Sequence, residues 1–217
     1  RIKSNAQYAD SSTIGAVDLI MDFHFEMIID DDFESGSAGW EMENNWEIGV
    51  PNYNAFGYKV NTAHSGTKVM ATGLMDDHLV DTSYSTTGKN TFEIKEYDQY
   101  YIEFRAYVGL DDYGNKNNGM DVKIIEDGVV KVESVLLNLP NGEDLFGLYY
   151  LGTVVQPYPG IRGKSVDNTY SLFEGAVEGA VSTPGKKFSL SFVLNSDYDY
   201  AKAGIYLDDV KLYKTVF

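Results

Sequence analysis

Asp208 and Asp209 stand side by side in Gly204-Ile205-Tyr206-Leu207-Asp208-Asp209-Val210-Lys211-Leu212-Tyr213, a stretch that otherwise alternates like a half-buried strand. Ile205 and Leu207 are apolar before the pair, and Val210 and Leu212 after it. The apolar parity therefore changes across the two carboxylates, which predicts a β-bulge there. Adjacent carboxylates repel and are disfavoured in strands, so something must compensate them. In a chain without cysteine the simplest compensator is a hard divalent cation held by oxygen ligands, that is, calcium. Near the other end, Asp30-Asp31-Asp32-Phe33-Glu34-Ser35-Gly36 is acidic in the same way. An acidic first strand beside an acidic last strand predicts one calcium site built from Asp32, Glu34, Asp208 and Asp209. The competing reading is a set of solvated carboxylates at a sheet edge.

Other groups are less specific. Asp111, Asp112 and Asn115 lie in a loop rich in oxygen donors, a second candidate for calcium. That loop lacks the EF-hand spacing and its terminal Glu, and an ordinary Asn/Gly turn explains it as well. Trp40, Trp46, Tyr53, Tyr58, Tyr149, Tyr150 and Tyr158 are candidates for a sugar-stacking platform, although most Trp side chains belong to cores. His24, His64 and His78 form no His-Glu-X-X-His motif, and neither a Gly-X-Ser-X-Gly elbow nor a cysteine nucleophile is present. Gly163-Lys164-Ser165 ends like a phosphate loop, but Tyr158 stands where its first glycine belongs. No enzyme is expected.

The elements that must position these residues are strands. Tyr100–Val108 alternates cleanly and is expected to be central, as is Lys187–Leu194. Glu126-Asp127-Gly128 joins two apolar runs as a hairpin. Lys68–Leu74 is a short strand, Ser83–Lys89 a loop, and 146–182 a Gly-, Pro- and Tyr-rich lobe ending in a strand near Leu172–Val177. Val17, Leu19, Met21, Phe23, Phe25, Met27 and Ile29 keep one apolar face for thirteen residues. A strand of that length spans about 44 Å at ~3.4 Å per residue. It either bends and pairs inside its own domain, or donates its Thr13–Phe25 part to a neighbouring subunit by strand addition.

The formal net charge of −16 leaves no basic patch for nucleic acid or an anionic membrane. No apolar run is long enough to span a bilayer. Without disulfides, a secreted domain relies on its core, on metal ions or on assembly. The chain begins at Arg1, which fits a secreted protein whose signal peptide has been removed.

Five segments occur in an order that resembles MAM-like jelly-roll domains, the extracellular accessory domains found beside secreted peptidases of the immune-inhibitor type. They are Asp32-Phe33-Glu34-Ser35-Gly36, Gly39-Trp40, Trp46-Glu47-Ile48-Gly49-Val50-Pro51, Ala63-His64-Ser65-Gly66-Thr67-Lys68-Val69 and Gly204–Val210. The resemblance implies a concanavalin-like sandwich, structural calcium and an extracellular address. It also implies metal ligation by Glu34 and one of Asp208 or Asp209, completed by carbonyls of Ser35–Ser37 and of the His64-Ser65-Gly66 turn. The expected fold is all-β: a two-sheet antiparallel jelly-roll β-sandwich over 31–217, preceded by an extended arm at 1–30. The leading functional expectation is a secreted, calcium-stabilised subunit that polymerises with itself, similar in general build to calcium-dependent archaeal cannula-type tubules. The alternative is a monomeric carbohydrate-binding or adhesion module, or an accessory domain of a secreted enzyme.

Overall fold

The computed structural model describes residues 2–4, 19–21, 24–77, 79, 82–93, 99–110, 119–126, 129–132, 136–138, 145–146, 164–165, 169–176, 185–196 and 202–216. The Asp111, Asp112 and Asn115 loop, Val17, Phe23, Tyr149, Tyr150 and Tyr158 lie outside them.

β1 (Ile2–Ser4) and β2 (Leu19–Met21) pair with each other. β3 (His24–Asp31) opens the sandwich, followed by β4 (Trp40–Met42), β5 (Glu47–Gly49), β6 (Tyr53–Ala55), β7 (Tyr58–Val60) and β8 (Val69–Ala71). Then come β9 (Thr82–Gly88), β10 (Tyr100–Gly109), β11 (Gly119–Glu126) and β12 (Val129–Val132). The remaining strands are β13 (Leu136–Asn138), β14 (Leu145–Phe146), β15 (Lys164–Ser165), β16 (Ser171–Ala176), β17 (Phe188–Ser196) and β18 (Gly204–Val216). The larger sheet runs β13-β16-β10-β18-β8-β5, with β3 also on β18 and the β14–β15 pair attached to β10. The smaller runs β12-β11-β17-β9-β4. Every named pairing among the described residues is antiparallel.

Alternation builds the core. Ile102, Phe104, Ala106 and Val108 of β10 point inward beside Leu207, Val210 and Leu212 of β18, and meet Leu190, Phe192 and Leu194 of β17. Phe104 is the hub: it stacks on Phe173 at 5.2 Å and meets Phe192 edge-on at 5.3 Å. Such aromatic pairs add roughly 0.5–1.5 kcal/mol beyond the area they bury. A second apolar cluster lies on the other face of the larger sheet, where the β6–β7 hairpin covers Tyr107, Tyr206, Val69 and Ala71. Tyrosine hydroxyls tie that layer down: Tyr206 donates to the Gly73 carbonyl at 2.8 Å and Tyr170 to that of Thr62 at 3.2 Å.

The expected central strands β10 and β17, the β11–β12 hairpin and the adjacency of the chain's first and last sandwich strands are all present. The bulge expected at Asp208-Asp209 is there too, as a register shift between Glu103 and Arg105 on the facing strand, with Asp209 at φ 49°. Most of Ser83–Lys89, expected as a loop, belongs to the strand β9 (Thr82–Gly88). Its polar residues pair sideways: Ser83 Oγ donates to Asn195 Oδ1, and the buried Thr86 carbonyl accepts from Ser191 Oγ at 3.0 Å. Thr and Tyr also suit a half-buried pleat.

The thirteen-residue apolar run is divided. Leu19 and Met21 pair with β1, whereas Phe25, Met27 and Ile29 sit in β3 against β18 of the same chain. The described parts of the run thus pair within the chain, which fits the reading of a strand that bends or divides inside its own domain; Val17 and Phe23 lie outside the described residues.

Candidate functional site

The acidic segments meet around the turn His64–Lys68. Past β3, Phe33 adopts φ 61° while its ring is fully buried, a combination a bulky residue tolerates only when its surroundings enforce it. Asp31 supplies that: its Oδ1 accepts from the Phe33 amide at 2.8 Å and its Oδ2 from the Trp40 indole at 2.9 Å. The reversal aims Glu34 at the far end of the turn. Its Oε1 accepts from the amides of Thr67 (2.7 Å) and Lys68 (2.6 Å), and its Oε2 from the Thr67 hydroxyl. These amide bonds hold its carboxyl below the usual range. The Lys68 ammonium donates to the Glu34 carbonyl at 2.7 Å.

The β18 bulge holds the near end. Asp208 is wholly buried, its Oδ2 accepting from the amides of His64 and Ser65 at 2.9 Å each and its Oδ1 from the Asp209 amide. Asp209 accepts the Ser65 hydroxyl on Oδ1 at 2.7 Å, and its Oδ2 lies 2.7 Å from His64 Nδ1. Burial pushes the Asp208 carboxyl up to about 6, with the Asp209 charge adding to it and the Ser65 amide opposing. Partial burial works on Asp209 in the same direction, but the Ser65 hydroxyl and the His64 ring hold it below the usual range.

The carboxylates are thus met by N–H and O–H donors. The turn expected to offer carbonyls to a cation offers amides to the acids. Among the described residues, His64, Asp208 and Asp209 bring ligand atoms within 4.8 Å of one another; Asp32 and Glu34 do not join them. Asp32 is exposed and caps the Glu34 amide at 3.1 Å. Sequence reasoning missed Asp31, although an Asp two residues before a reversal is a known turn former. Nor does the Ser65, His64 and Asp209 group resemble a nucleophilic triad, because Ser65 donates to the carboxylate and not to the imidazole.

Gly66 makes the turn possible. It has φ 56°, and a Cβ there would stand 2.6 Å from Glu34 Oε1. Gly66→Ala is expected to cost about 1–3 kcal/mol through strain and displacement of that carboxylate, visible as a lower Tm; an unaltered Tm would contradict the role given to Glu34.

Asp208 makes stability depend on pH. Its folded pKa is above its unfolded one, so the stabilisation is full below about pH 4 and is lost as pH rises through about 6. Urea titrations from pH 4 to 6 are expected to show falling stability, with a shallower fall in Asp208→Asn. Equal slopes in both proteins would refute the assignment.

Beyond this turn the outer face of the larger sheet carries a second group. Tyr213 of β18 is in register with Met27 of β3 and Tyr101 of β10. Tyr101 and Tyr213 stack at 5.7 Å, and Phe25 meets Tyr213 edge-on at 5.2 Å. Phe25 and Met27 are 58% and 48% exposed, far more than expected of large apolar residues in a sheet. The next row along the strands is charged, with Asp30, Lys211, Glu103 and Glu174 in register across β3, β18, β10 and β16. Lys211 pairs with Glu103 at 2.9 Å. By contrast Trp40, Trp46 and Tyr53, weighed above as a sugar platform against a place in the core, are core residues at 3%, 3% and 1% exposure, and Tyr58 is half-buried with its hydroxyl on the Leu110 carbonyl. The large indoles went where they bury most area.

The chain is a jelly-roll-like antiparallel β-sandwich. No protein-family model and no curated protein matches it. Among solved structures it is similar to a cyclase from Fischerella sp. TAU, with a TM-score of 0.50 and 13% identity over 88% of this chain and 98% of that one. It is also similar to the xylan-binding domain of a Paenibacillus barcinonensis protein (TM-score 0.40, 13% identity, 87% and 94% covered). A third is a carbohydrate-binding module that recognises mannan (TM-score 0.37, 16% identity, 88% and 98% covered). At these identities the likeness is one of fold, and one fold hosts many functions. No helix among the described residues is long and apolar enough to cross a membrane.

Proposed function

We propose that this chain is an extracellular, non-catalytic carbohydrate-binding module. The observation that carries the reading is the Tyr101–Tyr213–Phe25 row on the outer face, flanked by the charged row of Asp30, Lys211, Glu103 and Glu174. Aromatic rings stack on the apolar faces of sugars, and neighbouring charged groups hydrogen-bond their hydroxyls, the usual division of labour in a binding site. The β6–β7 hairpin and the His64–Lys68 turn pack on another part of the outer face, around Tyr107, Tyr206 and Asp208. A glycan array with the purified chain tests the reading. Retention of at least one oligosaccharide is expected, and loss of that retention in Tyr213→Ala; no retention of any glycan would reject it.

Calcium enters as a separate proposal, at Asp208 and Asp209. Two adjacent carboxylates suit a hard cation, whereas the imidazole beside them does not, and their donors already satisfy much of their charge. A bound ion would screen the repulsion between the two acids. Self-assembly remains the second reading, supported by the apolar exposure of Phe25 and Met27 on β3, a strand with no partner on its second side among the described residues. Melting curves and light scattering in millimolar calcium and in chelator address both. A higher Tm in calcium supports the ion, and calcium-dependent ordered polymers support assembly; identical melting and a monomer in both conditions reject both.

A further inference from the structure

We draw no further inference here: the strongest candidate, the groove of about 360 Å³ between β3 and residues 91–93, has its charged groups already matched in the Lys214–Glu26 and Lys187–Glu93 ion pairs, and nothing in the structure shows what covers it.

Discussion

Replacing Asp208 with alanine is expected to lower stability by about 3–5 kcal/mol, since leaving a buried donor without its acceptor costs about 1–3 kcal/mol and several are left at once. The substitution strands the amides of His64, Ser65 and Asp209 at the bulge of the strand that carries most of the larger sheet. For a domain of this size the loss corresponds to roughly 10 °C or more in Tm. Asn at the same position retains one oxygen for the His64 and Ser65 amides but turns an NH2 toward the Asp209 amide, so its cost is expected to be intermediate. The loss in Asp208→Ala appears in chelator as well as in calcium, because the donors involved belong to the chain. A large loss confined to calcium-containing buffer would show that the carboxylate acts through a cation instead. Thermal unfolding of the two variants in both buffers separates these cases.

Tyr213→Ala is expected to cost at least about tenfold in glycan affinity, or ~1.4 kcal/mol. Tyr213 sits between Tyr101 and Phe25, so its removal breaks the row at its middle. Its ring is only partly buried and its strand is anchored on the inner face by Val210 and Leu212, so folding is expected to survive. Titration calorimetry alongside a melting curve reads both quantities. Undiminished affinity with an intact fold would move the binding site elsewhere, whereas a collapse in Tm would show that the ring is structural.

The strands were legible wherever one face is buried and the other wet. β10 and β17 alternate because every second residue enters the core, and the parity break at Asp208-Asp209 marks the bulge in the sequence itself. The meeting of the acidic segments was legible as well, from the adjacency of the first and last sandwich strands. The amides and hydroxyls that donate to the acids were not. Amides do not vary with sequence, so a turn such as His64–Lys68 looks alike whether it presents N–H groups or carbonyls; only Gly66, free to adopt positive φ, hinted at the first. β9 was missed because its polar alternation lacks an apolar face, and its pairing through Ser and Thr hydroxyls leaves no hydropathy signal. The outer-face aromatics were passed over for a related reason. Trp40 and Trp46 drew attention as the largest rings, yet size drives them inward, while Tyr101 and Tyr213 are set on the outer face by register alone.

The most direct measurement is an NMR titration, with the tyrosine and phenylalanine rings isotopically labelled, against the oligosaccharide the chain retains best. Shifts concentrated on Tyr101, Tyr213 and Phe25, with the buried Tyr107 and Tyr206 unmoved, are the predicted result. Shifts confined to rings elsewhere, with these three silent, would contradict a carbohydrate site on the outer face of the larger sheet.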